Sequence, residues 1–232
     1  MINFNMSEIA RDTTSSSIFR SKSAISEHDQ KPAVFDKLKE EQLKLAKNVV
    51  LKDSFDKLEL VAGVDSAYTG DEVASAIVVC DYKTLEVKEK AFSVLKANVP
   101  YIPEFLAYRE GPSISEVYAK LELKPDVMVF DGNGILHPRK CGLASHIGIL
   151  LDQASIGIAK QLLVGEVKDN KIYFDKEVRA EIFVTKKNSK PIYVSPGHKI
   201  SLKTSVEIVR NCLRFPHKLP EPLHLAHRYA NE

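Results

Sequence analysis

The sequence has no apolar run near the ~18 residues that a membrane-spanning helix needs, so no transmembrane segment is expected. The first residues also lack the apolar stretch of a secretory signal, and a cytoplasmic protein is expected. Cysteine is scarce. Cys80, Cys141 and Cys212 are dispersed and form no CxxC pair, which argues against structural zinc and a disulfide framework and for a reduced compartment. Charge of one sign is lacking too: 33 Lys/Arg against 31 Asp/Glu leave a net +2, which by itself does not announce a nucleic-acid binder. What remains is a chain of 232 residues, 44% hydrophobic and 28% charged, long enough to bury a core in one domain.

The charge is unevenly spread. From Lys186 to Arg228 there are nine Lys/Arg and two acids, Glu207 and Glu221, with four of the seven histidines. Such an excess suits a phosphate backbone or a merely solvated surface. Residues 1–31 are polar and Ser/Thr-rich, and are expected to form a disordered or loosely attached tail, leaving 32–232 as the folded domain. A helix is predicted from about Pro32, with Phe35, Leu38, Leu43, Leu45 and Val49 at rough helical spacing.

Strand patterns follow. LVAGVDSAY (60–68) and ASAIVVCDY (74–82), joined by a polar Gly-containing turn, predict a hairpin, and 87–96 a third strand. A proline-rich loop and a short helix stopped at Gly111-Pro112 come next, then a second helix over 114–122. DVMVFDG is an unbroken apolar strand, as suits a central position. GLASHIGILLD (142–152) predicts a helix and ASIGIAK a strand. KIYF, EIFVT and PIYVSPG predict three more strands. Ser201 is the expected N-cap of a last long helix. Three antiparallel strands followed by alternating strands and helices imply a single-domain α/β protein. Its mixed sheet is flanked by helices in the order of an RNase H-like fold.

Two strands carry an aspartate in apolar context, Asp65 in LVAGVDSAY and Asp131 in VMVFDG. Strand-end Asp commonly caps the following turn, and that reading is kept for Asp81. If the first and fourth strands are neighbours, however, Asp65 and Asp131 approach each other and require a cation or a proton. Mg²⁺, with its preference for hard oxygen ligands, suits such a pair on a phosphate substrate. Glu110, in LAYREGP, is a third candidate, although Arg-Glu is also a common helix-end ion pair. The nearby PYIP is stiffened by two prolines, and a rigid apolar tip beside carboxylates suits insertion between bases.

PYIPEFLAYREGP, FDGNGILHPRKCGLASHIG, IGIAKQLLVG, VSPGH and LPEPLHLAH, in this order between about residues 60 and 230, resemble the motifs of the endonuclease V family. The resemblance implies an RNase H-like nuclease directed at deoxyinosine. It implies Mg²⁺-dependent hydrolysis, with Mn²⁺ able to substitute, of the second phosphodiester bond 3′ to the lesion. Matched motif by motif, Asp65, Glu110 and Asp131 correspond to acidic metal ligands, and His227 to a position near the metals. His137 and Lys160 correspond to basic residues of the catalytic site. Tyr101, with Ile102, corresponds to a strand-separating wedge. Gly132, Gly134 and Gly142 fall in segments that form a base pocket, with Leu106 and Leu163 as apolar walls. Glycine there lets backbone groups approach a flipped base.

Glu104 stands where many relatives have Gly, which bears on the mobility of the wedge. Arg139 and Lys140, after His137, form a basic cluster placed to meet phosphate. The implied partner is deoxyinosine-containing DNA, acted on by a monomer. The alternatives are an enzyme for inosine in RNA, or a non-catalytic nucleic-acid binder on the same fold. Clustered acids in a basic groove disfavour the binder.

Overall fold

The computed structural model describes residues 27–186 and 189–232, with side chains from residue 34 onward. The expected tail of residues 1–31 lies outside the described residues up to residue 26. The first helix, α1 (Glu27–Ala46), begins N-terminal to Pro32. Its inner face carries Leu45, buried, with Phe35 and Leu38 half-buried as the spacing suggested; Leu43 alone of the expected positions is exposed, and Gln42 is buried in its stead.

Among the described residues, nine strands form one sheet in the order β3-β2-β1-β4-β5-β9-β8-β7-β6. The hairpin of β1 (Leu60–Thr69) and β2 (Glu72–Asp81) turns at Gly70, whose φ of 59° favours glycine, and β3 (Val87–Lys96) continues it antiparallel. β4 (Val127–Asp131) lies parallel to β1 and to β5 (Ala154–Ala159). It is flanked on both edges and covered on both faces, which is why its sequence is apolar without alternation. β6 (Glu166–Lys168), a short exposed strand with no apolar pattern, joins β7 (Lys171–Phe174), β8 (Glu177–Phe183) and β9 (Ile192–His198) in the antiparallel far half.

The two faces have separate cores. Ala62, Val64, Met128 and Phe130 pack under α2 (Leu106–Lys120) and α3 (Leu143–Leu150). Val61, Val127, Val129 and Ile156 pack under α4 (Leu202–Asn211) and α5 (Glu221–Ala230). The period of two along β1 and β4 therefore turns Asp65 and Asp131 toward the face of α5. This mixed sheet between helix layers is the single-domain architecture expected from the order of elements.

Two local findings differ from expectation. Gly111-Pro112 does not end a helix: α2 runs through Pro112 as one element. The Oγ of Ser113 lies within hydrogen-bonding distance of the carbonyls of Val73 and Ser93, at 3.3 and 3.0 Å, so contacts to β2 and β3 hold the turn that proline weakens. The helix predicted after Ser201 is α4, which ends at Asn211, and it is not the last: α5 follows it. Ser201 caps α4 as expected, accepting from Thr204 N at 3.1 Å, an interaction worth about 1 kcal/mol. Asp81 is the turn cap it was read as, accepting from the N–H groups of Lys83 and Thr84 at 3.0 and 2.8 Å.

Candidate active site

α5 reaches the sheet because β1 carries no side chain where they cross. A Cβ on Gly63 would lie 2.1 Å from the Pro222 carbonyl oxygen. Two residues further along β1, about 7 Å, stands Asp65. Five residues further along α5, about 7.5 Å, stands His227. The matched spacings bring His227 Nδ1 to 2.6 Å from Asp65 Oδ2. β4 ends beside them at Asp131, and among the described residues Asp65, Asp131 and His227 offer three ligand atoms within 4.8 Å of one another. Lys160, just past the end of β5, pairs with Asp131. The cluster thus sits at the carboxyl ends of parallel strands, where open α/β sheets bind ligands.

Glu110 arrives from the opposite face of the sheet, on α2. Its Oε1 accepts from the hydroxyl of Tyr68, and it is buried. Burial raises its pKa to about 8; hydrogen bonds from Tyr68 and Ser66 oppose the shift, and the charges of Asp65 and Asp131 add to it. Asp65 is likewise raised to about 6, by burial and then by Asp131. Glu110 does not pair with its neighbour Arg109. That side chain instead donates to the Val99 carbonyl at 2.7 Å and lies over the Tyr68 ring.

These carboxylates and Lys160 line one open cleft of about 560 Å³, together with Tyr101, Leu106, Gly132, Gly142, Leu163 and His227. Tyr101 is 59% exposed, its ring edge-on to Tyr68 at 5.7 Å. Of the predicted site residues, Ile102, Gly134 and His137 are not on the cleft wall. Ile102 is half-buried and its carbonyl accepts from Phe105 N. A Cβ on Gly134 would meet the Pro196 carbonyl of β9 at 2.1 Å, so this glycine serves packing rather than a base. Gly142 lines the cleft, but it too is required by the chain, since a Cβ there would lie 2.3 Å from the Asn133 carbonyl.

His137 is the clearest displacement. Its ring is buried; Nε2 bonds the Glu104 carbonyl at 3.1 Å while Nδ1 accepts from Arg139 N at 3.2 Å. Burial, then the charge of Arg139, lowers its pKa to about 4, so it is neutral, with its proton on Nε2. Arg139 and Lys140 do not form a phosphate-facing cluster either. Arg139 pairs with Glu104 and Lys140 with Glu177. The basic stretch 186–228 is similarly dispersed: Lys199 pairs with Asp152, Arg214 bonds the Thr84 carbonyl, and among its described residues His227 alone lines the cleft.

The sequence did not single out Tyr68, Leu143 or Asn231, all on the cleft. Tyr68 was findable, because Ser66 and Tyr68 alternate with Asp65 on β1 and so face α2 and Glu110. Asn231 follows His227 by one helical turn and donates to its carbonyl at 2.7 Å.

The donor set suits a hard divalent cation: carboxylate oxygens, an imidazole, and in Asp65 a carboxyl raised by burial and then by the charge of Asp131.

A family model described as Endonuclease V matches residues 43–228. Endonuclease V of Dictyoglomus thermophilum is 45% identical over 199 residues, covering 82% of this chain and 87% of that protein. Endonuclease V of Thermofilum pendens is 43% identical over 195 residues, covering 82% and 84%. Among solved structures, Endonuclease V from Bacillus subtilis superposes with a TM-score of 0.75 at 35% identity, covering 82% of this chain and 87% of that one. Ciona intestinalis Endonuclease V, in complex with a 24mer DNA containing an inosine followed by a ribo-adenosine, gives 0.76 at 29% identity, covering 86% and 97%.

Proposed function

This chain belongs to the endonuclease V family of nucleases, and on that premise we propose that it nicks strands containing deoxyinosine at the second phosphodiester bond 3′ to the lesion, in a Mg²⁺-dependent reaction. The observation that carries the proposal is the convergence of Asp65, Asp131 and His227 within 4.8 Å, in the same cleft as Glu110, Lys160 and Tyr101. Asp65, Asp131 and His227, with Glu110, would hold the cation, Mg²⁺ or in its place Mn²⁺. When bound, a divalent cation supplies Lewis-acid charge for phosphoryl transfer and a nucleophile at neutral pH.

The chain's own side chains do the rest. Lys160, paired with Asp131, supplies positive charge for the scissile phosphate. Tyr68 holds Glu110 by donating to it. Tyr101 fills the gap left when a base leaves the stack, offsetting part of an unstacking cost of a few kcal/mol. Leu106 and Leu163 give apolar walls for the extruded base, and Gly132 lines the same cleft. The partner is inosine-containing DNA, in keeping with the Ciona complex. Inosine in RNA is the second substrate to test, since that DNA carries a ribo-adenosine after the inosine. Nicking of matched DNA and RNA strands with one inosine each, with Mg²⁺ or with EDTA, decides between them. We expect Mg²⁺-dependent nicking of DNA. Cleavage of RNA alone reassigns the substrate, and undiminished cleavage in EDTA removes the cation from the proposal.

A further inference from the structure

The wedge loop is held by side chains that play no part in the chemistry. Pro103–Phe105 form a single 3₁₀ turn just after Tyr101 and Ile102. The Glu104 carbonyl of that turn accepts from Gln42 Nε2 at 2.8 Å and from His137 Nε2 at 3.1 Å. The Glu104 carboxylate pairs with the Arg139 guanidinium at 2.8 Å, and Arg139 Nε donates to Gln42 Oε1 at 2.6 Å. Gln42 is 1% exposed and also reaches the Cys141 carbonyl. Phe105 stacks on Phe35 of α1, with Arg139 over its ring. At the other hinge, Arg109 holds the Val99 carbonyl.

Three separated segments therefore meet at Glu104: helix α1, the turn after the wedge, and the loop from β4 to α3. That last loop also lines the cleft with Gly132, Asn133 and Gly142. From this geometry we infer that Gln42, Glu104 and Arg139 form a clamp that fixes the Tyr101 loop to the β4–α3 loop, and that they are positioning residues for opening duplex substrate. The positioning role rests on the function proposed above; the clamp itself does not. A wedge acts by filling a gap in register with the pocket, and a tip free to swing loses that register before it loses any contact. A single strand needs little unstacking, so its cleavage depends far less on the clamp. Glycine at position 104 would lack the carboxylate, which makes the Glu104–Arg139 link a feature of chains that carry Glu there.

Two measurements on the full-length protein test this. The first is amide exchange of a peptide spanning residues 98–108 in wild type, Glu104→Ala, Gln42→Leu and Glu104→Gln. The second is the ratio of nicking on matched duplex to single-stranded inosine DNA. We expect loop exchange to rise about tenfold in Glu104→Ala and Gln42→Leu, with β4 unchanged. Duplex nicking should fall about five- to tenfold, and single-strand nicking less than about twofold. Glu104→Gln, which keeps an acceptor for Arg139, should recover part of both. Unchanged exchange in Glu104→Ala overturns the clamp. Faster exchange with equal losses on both substrates overturns the positioning role. Wild-type protein that nicks neither substrate overturns the function proposed, while the exchange result still decides the clamp. Glu104 is half-exposed, so its substitution keeps the test usable if Gln42→Leu impairs folding.

Discussion

The acid cluster and the Tyr101 loop, the proposed wedge, belong to one cleft but are held by different physics. Asp65 and Asp131 are carried by β1 and β4 in the middle of the sheet, and His227 by a helix pressed onto Gly63. Their positions are fixed by ladders and core packing, and burial together with the neighbouring Asp131 disfavours the charge on Asp65, which the proposed cation would relieve. Tyr101 is carried by a loop with a single turn of 3₁₀ helix, fixed by a few side-chain contacts, and is itself mostly exposed. On the function proposed, the groups that hold the cation thus sit on central strands and a helix packed against them, while the group proposed to meet a deformable duplex sits on a loop whose stability is local.

The comparison breaks hardest at the aspartates. Asp131→Asn and Asp65→Asn should each lower nicking of every inosine substrate by ~1,000-fold or more, about 4 kcal/mol of barrier, while the protein stays folded. Nicking within a fewfold of wild type would remove these residues from the chemistry. Tyr101→Ala should cut nicking of matched duplex by about tenfold and of single strands by about twofold, because only the duplex must be unstacked. Equal losses on both would make Tyr101 a general contact.

Next comes pH. Glu110, raised to about 8, and Asp65, to about 6, hold protons in the folded chain that the unfolded chain releases near pH 4. The folded state then binds more protons than the unfolded one between roughly pH 4 and 8, so without cation their contribution to stability is lost as pH rises through that window. In EDTA, Tm should fall from pH 5 to pH 8, and Glu110→Gln should flatten the fall. A wild-type Tm profile no steeper than that of Glu110→Gln would contradict the burial argument. The smallest effect belongs to Tyr68→Phe, which removes a donor to Glu110 and should lower nicking about threefold on duplex and single strand alike. A selective loss on duplex would assign Tyr68 to the wedge, against which its ring packs.

The same division explains what the sequence revealed. The run VMVFD and the Asp within LVAGVDSAY are local patterns, and once β1 and β4 pair in parallel the period of two brings both carboxylates to one face. The fold order, the Ser201 cap and the Asp81 turn were legible for the same reason. The clamp was not: Arg139 and Gln42 are 97 residues apart, and nothing local distinguishes an arginine bound to a buried glutamine from one awaiting phosphate. His137 misled likewise, because a histidine beside basic residues reads as catalytic until its ring is seen bonded to backbone on both nitrogens. Helix α2 was broken at Pro112 because sequence rules weigh the lost helical bond but not the Ser113 contacts to β2 and β3. Helix α5 was missed although Pro222 in its first turn was a usable start signal.

The most direct measurement is Mn²⁺ binding to metal-free protein, followed by electron paramagnetic resonance, for wild type, Asp65→Asn, Asp131→Asn and Tyr101→Ala. If the strand-end carboxylates form the cation site and the wedge is separate from it, wild type and Tyr101→Ala bind Mn²⁺ saturably with the same affinity, and both aspartate variants lose about tenfold or more. Undiminished binding in Asp65→Asn and Asp131→Asn would contradict the cation site.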